Sequence, residues 1–152
     1  MNAVLATKNN NSGIYELLTE SGIKEIVIKK SESEVRKTLE IKEYDIVIID
    51  TPLEDSFGAE LAVSLSEYHD CAVLLICKKE FYEKVKQKIA DHCVFILAKP
   101  FTQNTIEQSV NFLTAYRKSM IFMNNKFDKL NKKLEDLKIV DKAKCCLMQY
   151  LN

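Results

Sequence analysis

Five short runs of aliphatic, often β-branched residues recur along the chain: AVLAT at 3–7, EIVIK at 25–29, YDIVIID at 44–50, CAVLLIC at 71–77 and CVFILA at 93–98. They are apolar almost throughout rather than alternating, so each strand needs cover on both faces, as in a parallel sheet enclosed by helices. The intervening segments supply those helices. Asn11-Ser12-Gly13 opens an Ile14/Leu17/Leu18 helix, Ser31 and Glu34 form a capping box before Val35 and Leu39, and 57–68 and 81–89 have helical spacing. The reading is an α/β chain of five βα units.

The rest of the composition excludes more than it suggests. With 152 residues, 47% of them hydrophobic, the chain can bury a core of one domain. Lys plus Arg and Asp plus Glu both number 22, so no global field points to nucleic acid or an acidic membrane. No run approaches a membrane span and the N-terminus lacks a leader pattern, so a cytoplasmic protein is expected. The five cysteines (Cys71, Cys77, Cys93, Cys145, Cys146) have no CxxC pair, and most of them read as small core hydrophobes rather than metal ligands. The adjacent Cys145 and Cys146 leave a redox role as the lesser alternative. Three glycines provide no Gly-rich phosphate loop, and no nucleophile, base and acid converge. Neither an enzyme nor a bound cofactor or metal is expected.

Past Phe101 the pattern changes. Leu113, Tyr116, Met120, Met123, Phe127, Leu130, Leu134 and Leu137 alternate three and four apart, an a/d heptad stripe with mostly polar residues between. Five complete βα units leave little to cover it, so these eight residues are assigned to the interface of a parallel homodimer. Packing back on its own sheet is the alternative, better suited to Ile106 and Val110. Near Val140 the phase breaks and a new element is expected. The divisions are therefore 1–112, a coiled-coil helix at 113–139, and a further segment at 140–152.

In an open parallel sheet functional groups gather at the carboxyl ends of the strands. Those ends are Thr7-Lys8-Asn9, Asp50, Cys77 and Lys99. A carboxylate leaving a buried strand costs free energy unless it is paired, so Asp50 should be ionised beside a lysine; capping a turn is the plainer alternative. Asp50, Gly58 eight positions on, and Lys99-Pro100-Phe101 resemble the receiver domains of two-component response regulators over roughly 1–115. The resemblance implies a flavodoxin-like α/β fold with a five-stranded parallel sheet of order 2-1-3-4-5. It also implies Asp50 at the phosphoacceptor position, Lys99 at the phosphoryl-binding lysine, and a cis Lys-Pro bond. Several positions depart from that family. Lys8 and Asn9 stand where it has a metal-binding acidic pair, Cys77 and Ile96 occupy its switch positions, and Pro52 and Glu54 shift its proline. Asp50 alone suits Mg²⁺ poorly, and a lysine beside it repels the ion. The expectation is a degenerate receiver with a standing Asp50–Lys99 pair that Lys8 could join, Mg²⁺ entering only if Asp50 is phosphorylated.

The segment from Val140 resembles the opening helix of the ANTAR domain through Ala143, Lys144, Leu147 and Met148. That family's modules have three helices, bind paired RNA hairpins and prevent transcription termination, so 140–152 would be a first helix only. The resemblance implies a dimeric antiterminator with RNA hairpins as partners and a histidine kinase or another regulatory protein upstream. Two alternatives stand beside it: a working phosphoacceptor on Asp50, and an interaction module whose stripe pairs with a different chain. Seven lysines between Lys126 and Lys144 read first as a solvated face and only second as phosphate contacts.

Overall fold

The computed structural model describes residues 1–9 and 12–151. The strands are β1 (Asn2–Thr7), β2 (Glu25–Lys29), β3 (Ile46–Asp50), β4 (Ala72–Lys78) and β5 (Val94–Lys99). The helices are α1 (Ser12–Glu20), α2 (Glu32–Ile41), α3 (Ala59–Tyr68), α4 (Tyr82–Ile89), which follows a 3₁₀ turn at Lys79–Phe81, and α5 (Gln103–Leu151). The strands form one parallel sheet in the order β2-β1-β3-β4-β5, as the resemblance implies. The uniformly apolar runs are the central strands: every residue of β3 is buried, and so is all of β4 except Lys78. The edge strands β2 and β5 are only partly covered.

Alternation along each strand sorts the core into two layers. Val4, Ala6, Val47, Ile49, Val73, Leu75 and Cys77 meet Val35 and Leu39 of α2, Ala62 and Leu65 of α3, and Val85 and Ile89 of α4. Ala3, Leu5, Ile46, Ile48, Leu74 and Ile76 meet Ile14, Leu17 and Leu18 of α1 and Ile106, Val110 and Leu113 of α5. Each fully buried Leu or Ile contributes about 1.5–3 kcal/mol relative to exposure. The cap of α2 forms with one shift of register. Ser31 Oγ accepts from Glu34 N at 3.2 Å, while the Glu34 carboxylate accepts from Lys30 N, one residue before the cap. Asp55 completes that helix start by accepting from Glu32 N (2.7 Å) and Ser33 N (3.2 Å), which holds its carboxyl below the usual range.

Two compact units result, Met1–Arg117 and Lys118–Asn152, so the first extends past the expected boundary at 112. The reason is packing. Leu113 is fully buried in the chain's own core, and the Tyr116 ring meets Phe95 edge-on at 5.2 Å between centroids. These two positions of the heptad stripe therefore serve the sheet, which corrects their assignment to a dimer interface. Arg117, also buried, donates from Nε to Asp45 and from Nη1 to Asp70, both at 3.0 Å. Asp45 and Asp70 stand just before β3 and β4, so this contact lies at the amino end of the sheet.

The second unit is helical as far as Leu151. No new element begins near Val140: the hydrophobic phase shifts there, but nothing interrupts the backbone, and any boundary there lies within one helix. Asn152 lies outside the described residues. Met123, Phe127, Leu130, Leu134 and Leu137 are exposed along this helix, as are Leu147 and Met148. Among the described residues no helix is long and apolar enough to cross a membrane.

Candidate functional site

Parallel register brings the strand ends together as the sequence predicts. Thr7 pairs with Asp50, and Lys78 pairs with Lys99, across adjacent strands. Around them lies a cavity of ≈190 Å³ lined by Lys8, Asn9, Asp50, Thr51, Pro52, Lys78 and Lys99. Asp50 is 5% exposed, and its Oδ1 is in ion contact with the Lys99 ammonium. Among the described residues Oδ1 has no partner other than that ammonium. Oδ2 lies 3.2 Å from Thr7 Oγ1, but that hydroxyl also lies 2.8 Å from the carbonyl of Asn9. One proton cannot serve both well, and the shorter contact has the better claim to it. Lys99 is therefore the main partner of Asp50.

The loop after β3 is ordered by its own hydrogen bonds. Thr51 donates its N–H (2.9 Å) and its hydroxyl (2.8 Å) to the Ile76 carbonyl, and the Thr51-Pro52 and Lys99-Pro100 bonds are both cis. Gly58, before α3, has φ +105°, and a Cβ there would come within 2.9 Å of Ile49 Cγ2. Both the torsion and the space require glycine.

A model of the response regulator receiver domain matches residues 7–111. The chain belongs to this family. No curated protein matches it. Many solved structures resemble the receiver, among them the following three. The signal receiver domain of an HD domain-containing protein from Pseudomonas fluorescens Pf-5 aligns at 15% identity and TM-score 0.68, covering 78% of this chain and 89% of that one. The response regulatory domain of protein mrkE from Klebsiella pneumoniae aligns at 16% and 0.64, covering 78% and 99%. A two component transcriptional regulator AraC from Clostridium phytofermentans ISDg aligns at 14% and 0.70, covering 79% and 97%. Likeness at such identities is one of fold.

Within the receiver the predicted site residues fall in three groups. Asp50, Lys99, Lys8 and Asn9 surround the cavity, with Lys99 rather than Lys8 in ion contact with Asp50. Cys77 does not line it: the thiol is buried in the α2–α4 layer, and the cavity's residue from β4 is Lys78. Burial pushes the Cys77 thiol pKa up while the nearby Lys99 ammonium pulls it the other way. Ile96 packs beside that same layer, half-buried. Asn10, which follows Lys8 and Asn9 in sequence, and Asn11, expected to open the first helix, lie outside the described residues. A divalent cation does not fit this donor set: among the described lining residues the one carboxylate, Asp50, is already in ion contact with Lys99, and the other charged residues of the lining, Lys8 and Lys78, are cationic.

Lys78 and Arg117 are the residues that sequence reasoning missed. The apolar run stops at Cys77, and the charged residue one step past that run, Lys78, is the signal for the last position of β4. For Arg117 the signal was weaker: Asp45 lies near the start of the predicted run at 44–50 and Asp70 just ahead of the run at 71–77, two carboxylates at one edge awaiting a cation.

Proposed function

We propose that the protein is a regulatory receiver that works without metal-assisted phosphorylation, Asp50 being held by Lys99 in a standing ion pair. The observation that carries this is the charge around the cavity: Lys8 and Lys78 join Lys99 where a magnesium ion needs carboxylates. Phosphoryl transfer depends on positioning and on neutralising charge over the transferring group. Here the neutralising cations are fixed side chains, one of them already engaged by the carboxylate that would have to attack phosphorus.

Output then passes through the C-terminal helix. Its exposed heptad stripe is the assembly surface, pairing with a second helix, and the segment carrying Ala143, Lys144, Leu147 and Met148 is the opening of an RNA-binding module of the ANTAR type. That pattern supports transcription antitermination on hairpin RNA as the function of the whole regulator. The described exposure of Leu147 and Met148 is consistent with such a contact helix.

The deciding experiment is intact-mass spectrometry after incubation with a small phosphodonor and magnesium, beside an Asp50→Ala control. No adduct is the expected result. An adduct that disappears in the control establishes the second reading, a phosphoacceptor, which the position of Asp50 on an open cavity favours.

A further inference from the structure

The seam of the second unit is flanked by charge of one sign. With Met120 at a and Met123 at d, the e and g positions through Lys138 are Asn124, Lys126, Asn131, Lys133 and Lys138. Every charged member of that set is a lysine. The acids of the same stretch, Asp128, Glu135 and Asp136, fall at b and c, on the side away from the seam. Met123, Phe127, Leu130, Leu134 and Leu137 each keep half or more of their surface open, and the three lysines beside them are exposed.

Flanking charges choose the partner of such a helix. In a parallel pair of identical helices each g residue meets the e residue five places on, so Lys133 faces Lys138 on both sides of the seam. Antiparallel pairing lines g against g, and Lys126 and Lys133 meet each other. Neither arrangement offers these lysines a carboxylate from the facing helix, although on their own helix Asp136 and Glu135, three residues from Lys133 and Lys138 respectively, are near. A helix with Glu or Asp at e and g satisfies all three while covering the same apolar stripe. Nucleic acid would engage the lysines but leave Phe127, Leu130, Leu134 and Leu137 uncovered.

We infer that the occupant of this seam is an amphipathic helix of another protein, apolar at a and d and acidic at e and g. The inference rests on the stripe being an assembly surface and names the chemistry of what assembles there.

The test uses the full chain and two synthetic helical peptides with the same leucine seam, one with Glu and the other with Lys at every e and g position. Sedimentation should show a monomeric chain. Fluorescence anisotropy should show the Glu peptide binding at least about tenfold tighter than the Lys peptide, the preference shrinking as salt is added. The triple variant Lys126→Glu, Lys133→Glu, Lys138→Glu should reverse it. Equal binding of both peptides overturns the inference. So does a self-dimer that the Glu peptide cannot displace, though it leaves the stripe as the assembly surface. Hairpin RNA binding that is lost in the triple variant, with no peptide bound, also overturns it and assigns the lysines to phosphate. The variant Leu130→Asp, Leu134→Asp separates the two readings: if it changes neither mass nor peptide binding, the stripe is not an assembly surface at all.

Discussion

Replacing Lys99 with alanine leaves a carboxylate that is 5% exposed with no cation on Oδ1 and only a contested hydroxyl on Oδ2. Breaking a buried pair from one side costs about 3–5 kcal/mol. The Lys99 side chain is 33% exposed and the ≈190 Å³ cavity admits water, so part of that cost is relieved. About 2–3 kcal/mol should remain, which for a domain of this size lowers Tm by roughly 6–15 °C. The double variant Asp50→Ala, Lys99→Ala removes both charges and should recover to within about 1 kcal/mol of the parent, giving a coupling of about 2 kcal/mol. Urea unfolding followed by tyrosine fluorescence is a suitable assay, because every tyrosine except Tyr150 lies in the first unit. A Lys99→Ala chain as stable as the parent, or a double variant that loses the sum of the two singles, would show that the pair is not what holds Asp50 in place.

Arg117→Met should destabilise the first unit by about 2 kcal/mol in the same assay, because Asp45 loses its cation and Asp70 is exposed enough to matter little; Arg117→Lys matching the parent would argue against the two-carboxylate geometry. Hydrogen bonds from Glu32 and Ser33 lower the Asp55 pKa, so its contribution is present above the unfolded value of about 3.9 and is lost as pH falls through the lower folded value. The stability gap between parent and Asp55→Asn should therefore be full at neutral pH and close in strong acid; a gap that widens on acidification contradicts this. Gly58→Ala should cost about 1–3 kcal/mol, read from the urea midpoint, through its φ of +105° and the contact with Ile49.

Most of the fold could be read from period alone. The runs ending at Asp50 and Lys99 are strands because their apolar residues are continuous, and the helices between them follow their own spacing. The stripe from Leu113 shows where that logic stops. A three-four spacing reports that one face is apolar without saying whose surface covers it, and Leu113 and Tyr116 find theirs within the first unit. Val140 is a related case, since a change in the apolar face does not require a change in backbone. At the site, Asp50 and Lys99 were legible because topology sends strand ends to one rim. Lys78 was hidden by assigning the site to Cys77, and Arg117 by the distance in sequence between a helix residue and the carboxylates it joins.

β3 joins two ionic contacts described separately. Asp45 just precedes it and Asp50 ends it, and all five residues of the strand are buried between neighbours on both sides. An extended segment of this kind spans about 3.3 Å per residue and has no slack to take up. The two aspartates are the terminals of a stiff rod, one gripped by Lys99 from the last strand and the other by Arg117 from the last helix. One buried strand thus carries both of these ionic contacts, the Lys99 contact at its carboxyl end and the Arg117 contact at its amino end.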